Sequence, residues 1–209
     1  FEASLNASAP AGDEPNCRGW EWWYLRDLFR QFSVEVPDPG KDANKHVAWR
    51  PDTSELAVIS RDEVRIWSTE PIDLVSTVTQ PLPLGVTDVA WSPSGTVLCC
   101  GSNTGEVASL VVEENRLQWR TRLSVYGGAS WEVSDLSWHP DSSQLAISTV
   151  EGDVFIVDGA TGEVQRRLPL PSGLHRTICV AWHTGGGWLA SGHDAGTVTV
   201  YNTETWQEQ

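Results

Sequence analysis

Four short segments of this chain are copies of one another: His46-Val47-Ala48-Trp49, Asp88-Val89-Ala90-Trp91, Asp135-Leu136-Ser137-Trp138 and Cys179-Val180-Ala181-Trp182. Their tryptophans lie 42, 47 and 44 residues apart. A tandem repeat of this period constrains the fold more than any local propensity does. Each copy is one supersecondary unit that covers its apolar faces only by stacking on its neighbours.

The likeness extends past the tryptophan. Pro51, Pro93, Pro140 or Thr184 stands two residues on, followed by a polar turn such as Ser94-Gly95-Thr96 or Asp141-Ser142-Ser143. An apolar run comes next: Leu56-Ala57-Val58-Ile59, Val97-Leu98-Cys99-Cys100, Leu145-Ala146-Ile147 or Trp188-Leu189-Ala190. A second turn carries Asp62-Glu63, Thr104-Gly105, Glu151-Gly152 or Ala195-Gly196, and a third run ends at Trp67, Leu110, Val157 or Tyr201. Short runs of Val, Ile and aromatics between Gly, Pro, Asp and Ser are strands joined by hairpins. A fourth strand is predicted at 72–79, 116–123 and 164–168. Four antiparallel strands in a period near ~40–45 residues make a propeller blade. The chain is therefore predicted to be all-β, with blades at 46–83, 84–127, 128–173 and 174–209, after a separate segment 1–45.

These residues resemble the WD-repeat β-propeller family, most closely over 138–164 and 182–202. Asp158-Gly159-Ala160-Thr161-Gly162-Glu163 reads like its closing turn, and Ser191-Gly192-His193-Asp194-Ala195-Gly196-Thr197 like its second hairpin. The resemblance implies a scaffold that binds protein. Its Trp-Asp dipeptide is here Trp67-Ser68, Leu110-Val111, Val157-Asp158 and Tyr201-Asn202, and the Asp expected before the second-hairpin Gly is Thr104, Glu151 or Ala195. The family's polar network is thus expected to be mostly missing, leaving Trp and Val packing to hold the blades. The chain starts with Phe1, contains no Met and stops after Trp206 where an outer strand is due. A piece of a larger propeller is expected; a closed four-bladed ring is the alternative.

Segment 1–45 has no strand alternation. Over 18–29, Trp20, Trp23, Tyr24 and Leu28 fall on one helical face, and Trp22, Leu25 and Phe29 on another. A helix apolar on two faces must be covered on both, so it reads as a plug against the propeller or as a docking helix. Arg18-Gly19-Trp20-Glu21-Trp22-Trp23-Tyr24-Leu25 resembles the linker of planctomycete-type bacterial proteins that join a serine/threonine kinase to a WD-repeat propeller. That resemblance implies a larger signalling protein. The kinase's own motifs, a Gly-rich phosphate loop, H-R-D and D-F-G, do not occur in this sequence.

A net charge of −14 makes nucleic-acid phosphate and anionic membrane poor partners. No apolar stretch approaches the ~20 residues of a membrane-spanning helix. Cys17, Cys99, Cys100 and Cys179 form no C-x-x-C pair. They read as free core thiols of a reducing compartment, so a cytoplasmic location is expected. Cys99 and Cys100, adjacent on a strand, should point to opposite faces.

His183-Thr184-Gly185-Gly186-Gly187 sits in a hairpin with no helix to follow. His139 and His183 share one position after the blade tryptophan, which marks a structural slot. No metal site, cofactor or catalytic group is expected. The alternative is an enzymatic, quinoprotein-like propeller, suggested by the Asp158–Gly162 turn; such repeats carry Trp soon after that turn, where this chain has Arg166 and Arg167. The candidate protein-binding face is built by the second hairpins and by the loops that lead into the first strands. It comprises Arg61, Asp62, Asn103, Thr104, Trp131, Glu132, Val150, Glu151, His193 and Asp194. Trp131, a large aromatic after Gly127-Gly128-Ala129-Ser130, is either an interface anchor or packed beneath its own loop.

Overall fold

The computed structural model describes residues 44–60, 63–78, 85–123, 131–169 and 176–208, all within the compact unit Gly40–Gln209. The helix expected over 18–29, and Arg61 and Asp62 of the candidate face, lie outside the described residues. Those described form fifteen strands and no helix. Blade 1 holds β1 (Asn44–Trp49), β2 (Glu55–Ser60), β3 (Glu63–Thr69) and β4 (Ile72–Thr77). Blade 2 holds β5 (Val86–Trp91), β6 (Val97–Ser102), β7 (Glu106–Val111) and β8 (Arg116–Arg122). Blade 3 holds β9 (Val133–Trp138), β10 (Gln144–Thr149), β11 (Val154–Asp158) and β12 (Val164–Leu168). Blade 4 holds β13 (Thr177–Trp182), β14 (Trp188–His193) and β15 (Val198–Asn202), with an isolated bridge from Tyr201 to Glu208. Each blade is an antiparallel meander in chain order. Successive blades meet through their first strands, β1 to β5 to β9 to β13.

A bulge recurs in each first strand, at Asn44/His46, Val86/Asp88, Val133/Asp135 and Thr177/Cys179. An extra residue shifts the side-chain alternation by one. The buried positions are therefore Val86, Val89 and Trp91 in β5, Val133, Leu136 and Trp138 in β9, and Thr177, Val180 and Trp182 in β13. The bulged residue turns toward the next blade. Thr87 Oγ1 donates to Val133 O at 2.8 Å, and Ser134 Oγ to Thr177 O at 3.0 Å.

The cores lie between blades. One cluster joins Ala57, Val64 and Ile66 of blade 1 to Val89, Trp91 and Cys100 of blade 2. A second joins Cys99, Val107 and Trp119 to Leu136, Trp138 and Phe155, and a third joins Ala146 and Ile156 to Val180, Trp182 and Tyr201. Cys99 and Cys100 thus serve opposite faces, as strand alternation requires. Cys179 is exposed, contrary to the expected core thiol, because its face of β13 looks away from the third cluster.

The shared position of the four blade tryptophans does not give them one environment, and the expectation that packing alone holds the blades needs correction. The four blade tryptophans are not equivalent: Trp91, Trp138 and Trp182 are buried, whereas Trp49 is 59 % exposed. Each buried one packs on the blade before it, as when Trp138 Nε1 donates to Ala90 O; Val47 and Trp49 are without such cover. Nor does packing alone hold the blades. In blade 4 His193 Nδ1 contacts Thr177 Oγ1 at 3.2 Å, and its Nε2 lies 3.2 Å from Ser191 Oγ and 3.1 Å from Thr199 Oγ1. Ser102 and Thr149 are buried at the matching hairpin position in blades 2 and 3, and Thr177, the strand partner of His193, is buried in blade 4. Short hydroxyls replace the missing Asp, which the sequence shows only as scattered Ser and Thr.

The closing turns repeat as well. Asp158 Oδ1 accepts from Ala160 N at 3.0 Å and Thr161 N at 2.9 Å, and Asn202 Oδ1 accepts from Glu204 N and Thr205 N at 3.0 Å each. Backbone donors, Thr161 N–H first, hold the Asp158 carboxyl below its usual range.

Candidate functional site

The second hairpin of each of blades 2 to 4 is tied to the segment that leads into the same blade's first strand. Asn103 N donates to Gly85 O at 2.9 Å, Val150 N to Glu132 O at 2.8 Å, and Asp194 N to Arg176 O at 3.2 Å. One backbone bond at one repeat position thus joins the two loop sets at the same end of each blade. The loops of the candidate face therefore lie together in these blades, and its members differ in exposure.

Asn103, Glu151 and Asp194 are exposed, and Thr104, Glu132 and Val150 are half-buried. His193 is buried within the hydroxyl network of blade 4, so its ring is not presented. Trp131 is half-buried and packs edge-on to Phe155, with centroids 6.1 Å apart. The Arg167 guanidinium lies 5.5 Å over its ring and also bonds Asp153 Oδ2 at 2.5 Å. From the other side, Gly105 of blade 2 has φ +74°, and a Cβ there would stand 2.5 Å from Trp131 O. Trp131 thus wedges between blades 2 and 3.

At the opposite turns, Arg50 and His139, each the residue after its blade tryptophan, reach the next blade. Arg50 lies 5.1 Å over the Trp91 ring and donates to Gly95 O at 2.6 Å. His139 meets Trp182 edge-on at 4.7 Å, and its Nδ1 lies 2.5 Å from Asp141 Oδ1. Hydrogen bonds from Ser143, with His139 adding its own, hold Asp141 down at about 2. These contacts account for His139 as the structural slot expected. Among the described residues no group of three or more His, Cys, Asp or Glu is placed to hold a metal.

The inner strands also carry a row of polar residues at one repeat position. His46, Asp88, Asp135 and Cys179 occupy the same position, three residues before each tryptophan. Asp88 Oδ2 accepts from Leu136 N at 2.8 Å, and Asp135 Oδ2 from Val180 N at 2.8 Å. Each carboxyl therefore reaches the first strand of the following blade. His46 Nδ1 is 3.5 Å from Asp88 Oδ1. Burial, and then the neighbouring Asp135, push the Asp88 carboxyl up to about 7; burial raises Asp135 too. The signal was in the repeated segments themselves, which place ionisable residues where a strand facing a neighbour would ordinarily be apolar.

Stacked four-stranded meanders with this register define a WD-type blade array. In agreement, residues 74–107 and 173–202 match the family model of the WD domain, G-beta repeat. Protein HIR1 of Cryptococcus neoformans var. neoformans serotype D is 30 % identical over 190 residues, covering 79 % of this chain and 21 % of that protein. The WD repeat and HMG-box DNA-binding protein 1 of Mus musculus is 28 % identical over 118 residues, 54 % of this chain and 10 % of that one. Elongator complex protein 1 of Mus musculus is 31 % identical over 126 residues, 56 % of this chain and 9 % of that one. The chain spans about a fifth or less of the length of these relatives. All three are eukaryotic, and none is of the bacterial kinase-linked type that the front segment resembles.

Proposed function

We propose that this chain is a non-catalytic protein-interaction scaffold, one module of a larger protein. The observation that carries this reading is the tied hairpin face: the same backbone bond in three successive blades fixes Asn103, Glu132, Glu151 and Asp194 at one end of the array. Rigid loops on a repeat scaffold present a wide surface to a partner. The net charge of −14 favours a cationic protein over nucleic acid, despite the DNA-binding name of one relative. Elongator complex protein 1 is by its name part of an assembly, which suits a scaffold. A signalling role and a kinase-linked parent rest on the eight residues 18–25 alone, and the full open reading frame tests them. The buried free thiols Cys99 and Cys100 fit a reducing, cytoplasmic setting.

Pull-down from the source cell tests the reading. Replacing Glu132, Glu151 and Asp194 together with Arg should abolish recovery of the partner while leaving the melting temperature near that of the wild type. Equal recovery would remove this face from the proposal. Turnover of a small substrate, or quinone absorbance in the purified protein, would favour the enzymatic propeller instead.

A further inference from the structure

The row on the inner strands brings two carboxyl groups together. Leu136 N–H is shared between them, 2.8 Å from Asp88 Oδ2 and 3.0 Å from Asp135 Oδ1. The two carboxyl groups thus converge on a single backbone donor. One N–H cannot neutralise two carboxylates, and a carboxyl oxygen can donate to another only when it carries a proton. Two carboxylates in such contact do not both ionise freely. The remaining oxygen of Asp135 accepts from Val180 N at 2.8 Å, so the pair touches β5, β9 and β13 at once.

We infer that Asp88 and Asp135 hold one proton between them, and that this proton fastens the inner strands of blades 2, 3 and 4, so that the seam tightens on mild acidification and loosens when the proton leaves. Among the described residues, few ionisable groups surround the pair. His46 faces it from β1, with Nδ1 3.5 Å from Asp88 Oδ1. On β6 the buried Cys100 thiol is pushed up to about 12, by burial first and by Asp88 second. Cys179 on β13 holds the next position in the row and is exposed. On β2 the carboxyl of Glu55 is engaged by Arg50 at 2.7 Å, and β10, Gln144–Thr149, has no ionisable residue.

The sign of the effect follows from linkage. A carboxyl raised in the folded state from 3.8 to about 7 binds its proton more tightly folded than unfolded. Its contribution to stability is complete below the unfolded value and is lost as pH rises through about 7. The two carboxyls titrate as a pair, so both should be needed.

The test is thermal melting of the 209-residue chain from mildly acidic to mildly alkaline pH. The wild type should lose several degrees as pH rises through about 7. Asp88→Asn keeps a neutral donor toward Asp135 and an acceptor for Leu136 N–H, so it imitates the protonated state. It should flatten the profile and melt above the wild type at alkaline pH; Asp135→Asn should flatten it likewise. His46→Gln removes the imidazole that faces Asp88 and should leave the slope in place. A flat profile in His46→Gln with an unchanged slope in Asp88→Asn would overturn the inference in favour of the imidazole. Should the Asn variants fail to fold, carbon-13 carboxyl titration of the wild type decides: two carboxyls ionising independently in the ordinary range sink the proposal, and one retained proton supports it.

Discussion

At the residue scale the tryptophans separate position from role. Trp49 and Trp138 stand at the same place in their repeats, yet one is 59 % and the other 8 % exposed. Trp138→Ala should cost about 3–5 kcal/mol, the usual figure for emptying an aromatic site. Trp49→Ala should cost about 0.5 kcal/mol or less, as surface changes do. Urea unfolding of the two variants checks this, and equal losses would mean that Trp49 is covered in solution. Gly105 offers a second test. With φ +74° and the Trp131 backbone against it, Gly105→Ala strains the backbone by roughly 1–3 kcal/mol before any steric cost is counted. It should lower the melting temperature and disturb the near-ultraviolet signal of Trp131; an unchanged signal would mean the wedge is loose. Neither contrast can be read from the sequence. The tryptophan motif is the same in all four copies, and exposure depends on which neighbouring blade is present.

At the element scale the sequence was informative wherever a turn residue marked a boundary. The fourth strands expected at 72–79, 116–123 and 164–168 are β4, β8 and β12, each preceded by a turn. What alternation concealed was the bulge. It makes the first-strand pattern i, i+3, i+5, which resembles neither a helix nor a regular strand, and it aims Thr87 and Ser134 at the next blade. The Asp88 and Asp135 carboxyls follow the bulge directly, so their role was hidden with it. The substitution of hydroxyls for the usual blade Asp was hidden for a different reason: Ser and Thr are common in turns, and only burial shows which ones are structural. Burial should also rank the strands in hydrogen exchange, since local opening follows apolar cover. β4 is exposed over most of its length, whereas β10 is buried from Leu145 to Thr149. Amides of β10 should exchange at the rate of global unfolding and those of β4 much faster; equal protection would show that β4 is covered.

At the scale of the whole array, each blade face that meets a neighbour is apolar, and the faces at the two ends repeat that chemistry in the open. Val47 and Trp49 are 60 % and 59 % exposed, while their counterparts Val89 and Trp91 are 5 % and 7 % exposed. At the other end Ile178 and Val198 are 51 % and 67 % exposed. Ile178 holds the bulge position through which Thr87 and Ser134 bind the following blade. Large exposed apolar patches on soluble proteins mark contact surfaces or promote association. The isolated chain should therefore self-associate with rising concentration, detectable by light scattering. Val47→Lys together with Trp49→Glu should suppress that association, and should do so without lowering the melting temperature, because the side chains removed contribute little to the cores of blades 1 and 2. Loss of fold in the double variant would mean that these residues are buried in solution. Undiminished association would place the sticky surface on the candidate binding face rather than on the end of the array.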